Sequence, residues 1–204
     1  MGVQSNFKKD LQKEKELAVF LDTLYQKHLK NYHTERIHNY KQQLQGIDAY
    51  FTHKKTRKVY AIDEKAQLDY IGEDLPTFAF EINYLKGDSL KKGWLFDTTK
   101  TTDFYALITA IYKDDPDKFT SCKITLVNRS KLIALLKSKK ITQETLCSYI
   151  DVKNKTHGKI NIKELHNYQE GYLYFSSNNK VEKPLNLILK LDYLIENGVA
   201  KRLL

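Results

Sequence analysis

The sequence predicts one α/β or α+β domain, in which helices pack on a sheet of three or four mostly antiparallel strands. Apolar residues recur at helical spacing from about Lys9 to Leu29, and segments between residues 46 and 85 alternate polar and apolar as half-buried strands do. The composition is 41% hydrophobic, with 8 Gly and 3 Pro among 204 residues, which is typical of a folded globular protein.

The first half of the chain is expected to be an amphipathic helix followed by strands. The stretch "NYHTERIHNYKQQLQ" links that helix to the sheet. Two segments rich in Ile, Val, Tyr and Phe, "GIDAYFTH" and "RKVYAIDEKAQL", are predicted as the first two strands. "TFAFEINYL" is expected to be a third strand and "KKGWLFD" a short fourth.

The second half is expected to be richer in helices. "TTDFYALITAIY" opens with side chains suited to an N-cap and is predicted as a helix. "SCKITLVN" is predicted as a strand, "RSKLIALLKSKK" as a helix from Ser130, and "ITQETLCSYI" as a short helix capped at Thr142. "GKINIKELHNY" and "GYLYFSS" resemble strands, and "PLNLILKLDYLIENG" is predicted as a final helix ended by Gly198.

The charge of the chain favours an anionic partner. Lys and Arg number 34 against 25 Asp and Glu, giving a net charge of +9, so nucleic acid is expected before an anionic membrane. No apolar run approaches the ~18 residues that cross a bilayer, and the polar start "MGVQSNFKKD" lacks a signal sequence, so a cytoplasmic protein without a membrane partner is expected. Cys122 and Cys147 lack metal-ligand spacing, and no glycine-rich phosphate loop is present.

An unusual feature of the first two strands is that each carries an acid among residues that favour burial. If Lys55 and Thr56 form a two-residue hairpin loop, Asp48 falls opposite Asp63, and side chains so paired share one face of the sheet. A bulge would instead place Asp48 opposite Ile62 or Glu64. In the first register the two carboxylates repel, and a bridging divalent cation would offset that repulsion. Lys65, two residues beyond Asp63, points to the same face.

This arrangement resembles the PD-(D/E)xK nuclease superfamily, which has the restriction-endonuclease-like fold. The residues that carry the resemblance are Asp48 in "GIDAYF" and Asp63-Glu64-Lys65 in "YAIDEKAQ"; Ile47 stands where the name of the motif has proline. The order helix, three strands, helix, strand agrees with that core. The resemblance covers about residues 9–130, and about residues 131–204 would be a C-terminal elaboration with extra helices.

The resemblance implies a metal-dependent hydrolase of DNA phosphodiester bonds. Mg²⁺, for which Mn²⁺ would substitute, prefers oxygen ligands, and Asp48, Asp63 and the backbone carbonyl of Glu64 would supply them. Lys65 would position the attacking water and stabilise the developing charge. Glu81, an acid in the otherwise apolar third strand, is a further candidate metal ligand.

Several residues near these strands are candidates for contacts with nucleic acid. Gln67 continues the face of Asp63 and Lys65. The remaining candidates are basic, in the hairpin turn or around "GWLFDTT": Lys54, Lys55, Arg57, Lys58, Lys91, Lys92 and Lys100.

The expected function is therefore a magnesium-dependent deoxyribonuclease, with a type II restriction endonuclease as the first expectation. By analogy with the family, a homodimer is expected, because double-strand cleavage needs two active sites. A junction-resolving or repair nuclease, a non-catalytic basic DNA-binding protein and a basic interaction module without a nucleic-acid role remain the alternatives.

Overall fold

A computed structural model describes residues 7–86, 89–115, 118–149, 157–176 and 183–204. The protein is α+β, and its described strands form two sheets with helices packed against them. The helices are α1 (Phe7–His28), α2 (Tyr40–Leu44), α3 (Arg129–Ser138), α4 (Gln143–Cys147) and α5 (Leu191–Glu196), and a 3₁₀ turn spans Leu68–Tyr70.

The first sheet is mixed and contains β1 (Tyr32–Arg36), β2 (Ala49–His53), β3 (Val59–Ala66), β6 (Phe104–Asp115), β7 (Lys118–Asn128) and β11 (Ala200–Arg202). These strands lie side by side in that order. β3 and β6 are parallel, whereas the other neighbouring pairs are antiparallel.

The second sheet is antiparallel and contains β4 (Thr77–Lys86), β5 (Ser89–Lys92), β8 (Gly158–Ile160), β9 (Gly171–Phe175) and β10 (Pro184–Lys190). Its spatial order is β5-β4-β10-β9-β8, so a strand from near the end of the chain lies between two earlier ones. The described part of the C-terminal third thus contributes β8, β9 and β10 to this sheet, and the prediction of extra helices there is correct for α3, α4 and the short α5.

The predicted first helix, the first two strands, the strand before residue 129 and the two helices after it are confirmed. The cap of α3 is Asn128, whose side chain accepts a hydrogen bond from the Lys131 amide. In α4 the side chains and backbone of Thr142 and Thr145 form a capping box, which satisfies amides that have no partner inside the helix.

The helix predicted for residues 101–112 is wrong, because this segment forms β6. Its residues from Phe104 to Tyr112 are apolar except for Thr109, and Tyr105 to Ile111 are all buried. A strand covered on both faces shows no alternation, so periodicity alone does not separate it from a buried helix. Tyr105 and Leu107 face the second sheet, whereas Ala106 and Ile108 face α1.

Three further expectations need correction. The first half of the predicted final helix is β10, and only Leu191–Glu196 is helical before Gly198, which has φ +65°. The predicted third strand, β4, pairs in the second sheet and does not lie beside β3. The expected link after the first helix contains β1, which forms the edge of the first sheet.

Two apolar cores lie on opposite faces of the first sheet. One fills the space between the two sheets and includes Phe80, Ile82 and Leu187. The other lies between the first sheet and α1, which contributes Leu17, Leu21 and Tyr25. No helix in the described part of the chain combines the length and the apolar character needed to span a bilayer.

Candidate active site

The β2–β3 hairpin has the register that places Asp48 against Asp63. The strand pairs run from Thr52↔Val59 to Ala49↔Ile62. The turn is longer than predicted, since the His53 amide donates to the Lys58 carbonyl at 2.8 Å and Arg57 takes a left-handed φ of 59°. The expected two-residue loop is therefore wrong, but the extra turn residues leave the pairing unchanged.

Asp48 is fixed against β3 by its backbone and its side chain. Its amide donates to the Ile62 carbonyl at 2.8 Å, and its Oδ2 accepts a hydrogen bond from the Glu64 amide, also at 2.8 Å. Asp48 lies just outside the paired strands, and it contacts both residues that flank Asp63. The carboxylate is thereby held at the point where β2 begins.

Asp63 is a buried carboxyl group with incomplete pairing. It is 2% exposed; Oδ1 accepts from Lys65 Nζ at 2.5 Å, while Oδ2 has no hydrogen-bond partner. Burial raises the pKa of Asp63 to about 6; the Lys65 ammonium opposes this shift and the neighbouring Asp48 adds to it. An unpaired buried carboxylate oxygen beside a second carboxylate favours either a bound cation or a proton.

This pair of carboxylates fits a hard divalent cation. Mg²⁺ is commonly bound through one or two protein carboxylates, and waters complete its coordination. Within the described ranges no group of three or more His, Cys, Asp or Glu side chains converges as metal ligands. The candidate metal ligands at this point are the carboxylates of Asp48 and Asp63. The Glu64 carbonyl, expected as a further ligand, stays a prediction.

A loop crossing beside Asp63 shapes the site, and the sequence reasoning missed it. Gly46 has φ +76°, and a Cβ atom there would lie 2.6 Å from Thr102 Oγ1 and 3.1 Å from Asp63 Oδ2. Thr102 Oγ1 donates to the Gly46 carbonyl at 2.7 Å, and Lys100 Nζ donates to the Leu44 carbonyl at 2.7 Å. Lys100, predicted to contact DNA, thus lies near the site and holds this loop. The signal in the sequence was the glycine two residues before Asp48.

Lys65 extends from Asp63 towards the second sheet. Its Nζ lies 5.4 Å from the centroid of the Trp94 ring, which packs edge-on against Tyr105 at 4.8 Å. Arg129 Nε donates to the Tyr105 hydroxyl at 3.0 Å, an interaction that the sequence did not predict. Aromatic rings on one side and Asp63 on the other restrict the position of the lysine.

The side chain of Glu64 lies on the opposite face of β3 and joins α1 to the sheet. Its carboxylate accepts from Arg36 at 2.8 and 3.0 Å and from the Tyr25 hydroxyl at 2.9 Å. Arg36 also bonds Asp22 of α1 at 2.7 Å. The role of this carboxylate in the fold is therefore structural.

Gln67 and Glu81 line a cleft of about 690 Å³ that begins at Lys65. Gln67 Nε2 donates to the Thr77 carbonyl at 2.9 Å and so joins the end of β3 to β4. Glu81 projects from β4, beside Gly93, where a Cβ atom would lie 2.8 Å from Glu81 Cγ. The structure brings both residues to the side of Lys65.

The basic residues predicted to contact nucleic acid do not form one surface around the site. The turn is at the other end of β2, whose five residues span roughly 17 Å. In that turn Lys54 Nζ donates to the Lys30 carbonyl at 2.6 Å. Lys91 and Lys92 are exposed on β5, at the edge of the second sheet. Of the predicted cations, Lys65 and Lys100 are the ones near Asp63.

Comparison of the chain with protein-family models, with curated proteins and with solved structures finds no match. The site is therefore interpreted from its own geometry and chemistry.

Proposed function

We propose that this protein is a metal-dependent nuclease that hydrolyses DNA phosphodiester bonds. The observation that carries the proposal is the buried Asp63, which has one oxygen paired to Lys65 and the other unpaired beside Asp48. Two acids and a lysine on the β2–β3 hairpin correspond to the residue types of the PD-(D/E)xK motif. This correspondence supports a restriction-endonuclease-like site.

The support comes from the hairpin and not from the order of elements. The segment 101–112 is a strand where the resemblance implies a helix, and it runs parallel to β3. The proposal of a restriction-endonuclease-like core therefore depends on the mixed sheet and on the position of the acids within it. Type II restriction activity by a homodimer is the first form of the proposal; a junction-resolving or repair nuclease would use the same residues.

The proposal assigns each residue a role that its geometry supports. Asp48 and Asp63 would hold Mg²⁺ or Mn²⁺, which when bound lowers the pKa of water and polarises the phosphate. The Glu64 amide keeps Asp48 oriented. Lys65, held between Asp63 and the Trp94 ring, would orient the attacking water and stabilise negative charge on the phosphate. The side chain of Glu64 would keep β3 against α1 and take no part in the chemistry.

The first experiment compares DNA cleavage by the wild type, Asp63→Asn and Lys65→Ala. Supercoiled plasmid and branched DNA are incubated with Mg²⁺ or Mn²⁺, and the rate of strand breakage is measured. We expect each variant to lose roughly two orders of magnitude in rate or more, as is typical when a group that acts in the transition state is removed.

Matched controls are Asp74→Asn and Lys123→Ala, which disrupt an exposed Asp–Lys ion pair elsewhere and should leave the rate unchanged. Calorimetry of Mn²⁺ binding to the wild type and to Asp48→Asn gives a readout independent of the DNA target. If the wild type cleaves neither substrate and binds no divalent cation through Asp48 and Asp63, the nuclease proposal is wrong. DNA binding that persists in EDTA would then favour a non-catalytic DNA-binding protein.

A further inference from the structure

One wall of the cleft next to Lys65, here called the floor, is a face of the second sheet with side chains in regular rows. Across β9, β10 and β4, the pairs Tyr174↔Asn186 and Asn186↔Glu81 place an aromatic ring, an amide and a carboxylate in one row. The neighbouring row is Tyr172, Ile188 and Ala79. Directly paired residues share a face of a sheet, and all six line the same cleft.

The residues of this floor alternate with buried ones, as expected for a sheet that covers a core on one face only. Leu173, Phe175 and Leu187 point into the core between the sheets, so the tyrosines necessarily face the cleft. Their rings are half-buried. Burial, together with the nearby Tyr174 and Tyr70, raises the pKa of Tyr172. The cleft thus holds a cluster of aromatic rings close to a candidate catalytic lysine.

The walls of the cleft carry hydrogen-bonding groups more than positive charge. Its lining includes the amides of Gln67 and Asn186, and it has three carboxylates, Glu14, Asp69 and Glu81, against the lysines Lys13 and Lys65. A groove that follows a phosphate backbone would be mainly basic. Amides and carboxylates are instead the groups that bond the edges of bases, and aromatic rings are the surfaces on which unpaired bases stack.

We propose that this cleft binds the unpaired bases of a single-stranded nucleic acid, next to the phosphate-cleaving site at Asp63 and Lys65. The bases stack on Tyr172 and Tyr174, and their edges bond Asn186, Glu81 and Gln67. Lys159 does not line the cleft, but its Nζ lies over the Tyr172 ring, 4.2 Å from the centroid, where it can pair with a phosphate of a strand whose base stacks on the other face of that ring. A duplex cannot use this floor, because its base faces are already stacked on one another. The inference deepens the proposed nuclease function in its junction-resolving or repair form, because a type II restriction endonuclease acts on a duplex. It rests on the nuclease function for the chemistry, and base binding is measured separately.

The test is binding of a fluorescent single-stranded DNA in EDTA, followed by anisotropy, against the same sequence as a duplex and against an abasic strand. We expect the single strand to bind more tightly than both. Tyr174→Leu and Tyr172→Leu should each weaken its binding by roughly 5- to 100-fold, in keeping with the loss of one stacked base. Tyr→Phe at either position should retain the affinity, because the ring is preserved.

Tyr40→Leu is the matched control, because Tyr40 is 71% exposed on α2 and does not line the cleft. Thermal melting of each variant separates loss of binding from loss of folding, and the Phe variants test the ring even where Leu unfolds the protein. An abasic strand or a duplex that binds as tightly as the single strand overturns the inference. Tyrosine-dependent binding without any cleavage in Mg²⁺ supports the cleft and contradicts the nuclease. Cleavage in Mg²⁺ together with single-strand binding that neither Tyr172→Leu nor Tyr174→Leu weakens supports the nuclease and contradicts the cleft.

Discussion

At the scale of single residues, the defining feature is a carboxyl group buried at the end of a hairpin. Asp63 is 2% exposed, and one of its oxygens has no hydrogen-bond partner. A buried polar group without a partner destabilises a fold by about 1–3 kcal/mol, so such a group is retained only where something offsets the loss. The nearby Lys65 offsets part of it, and a metal ion at Asp48 and Asp63 would offset the rest.

The raised pKa of Asp63 predicts that Asp63→Asn stabilises the metal-free protein near neutral pH. The pKa is about 6 in the folded state against 3.8 for an unperturbed aspartate. The folded protein therefore binds the proton more tightly, and stability falls as pH rises from about 4 to about 6. The free energy of unfolding of the variant minus that of the wild type should therefore increase by on the order of 3 kcal/mol from about pH 4 to about pH 7.5.

Urea denaturation in EDTA at the two pH values measures this difference. Asp74→Asn, at an exposed acid of a surface ion pair, serves as the control variant. Saturating Mg²⁺ should stabilise the wild type more than Asp63→Asn at neutral pH, because the ion binds the ionised pair. A pH-independent difference between Asp63→Asn and the wild type would contradict the buried, proton-binding state of this carboxyl group.

Gly46 offers a second test at the residue scale, since it combines a left-handed backbone with close neighbours. Gly72 has a similar φ of +88°, but no atom lies within 4 Å of its Cβ position. Gly72→Ala should therefore cost only the backbone strain, about 1–2 kcal/mol. Gly46→Ala should cost roughly 1–3 kcal/mol more, because its methyl group would overlap Thr102 Oγ1.

Chemical denaturation of the two glycine variants gives this comparison directly. Adding Thr102→Ala to Gly46→Ala should recover part of the loss by removing the overlapping hydroxyl group. Equal destabilisation by the two alanine substitutions would show that the loop beside Asp63 is not tightly packed.

At the scale of elements, α1 is joined to the first sheet by one polar network as well as by apolar packing. Arg36 of β1 bonds Glu64 of β3 and Asp22 of α1, and the Arg36 and Glu64 side chains are 15% and 11% exposed. Removing one member of a buried ion pair leaves the other charge without compensation. The position of β3, and with it Asp63, therefore depends on this network.

Arg36→Ala should lower the free energy of unfolding by roughly 3–5 kcal/mol. The comparison variant is Arg202→Ala, whose partner is Asp192; these side chains are 51% and 69% exposed, so its effect should stay below about 1 kcal/mol. Thermal or urea unfolding of the two arginine variants measures the contrast. Similar losses in both would mean that the network around Glu64 contributes no more than a surface pair.

At the scale of the whole molecule, the candidate site and the cleft are assembled from segments that are distant in sequence. The hairpin supplies Asp48, Asp63 and Lys65, while the cleft beside them needs β4, β9 and β10 of the second sheet. The net charge of +9 is not concentrated there, since the basic turn and the β5 lysines lie elsewhere. Under the proposed function, charge would account for attraction to a polyanion, and the cleft would account for what is recognised.

The sequence alone predicted the parts of the structure that local chemistry determines. The amphipathic α1 and the strands on either side of the basic turn followed from their periodicity, and the cap at Thr142 followed from its residue type. The register of the β2–β3 pairs, which ends one residue short of Asp48 and Asp63, followed from counting outward from the turn. Hairpin partners are close in sequence, so their register is encoded locally.

Tertiary structure alone decided the rest. The apolar segment of β6 has no period that separates a buried strand from a helix, and only its neighbours in the sheet specify an extended chain. In β10 buried residues alternate with half-buried ones, but the apolar Ile188 on the half-buried side hides this alternation in the sequence. The second sheet pairs residues about a hundred positions apart, which no local pattern specifies. The burial of Asp63 also depends on packing, because the loop at Gly46 lies against it and is bonded by Thr102 from a distant segment of the chain. The hairpin sequence thus supplies the chemical groups of the candidate site. Their burial from water and the adjoining cleft arise only when the two sheets pack together.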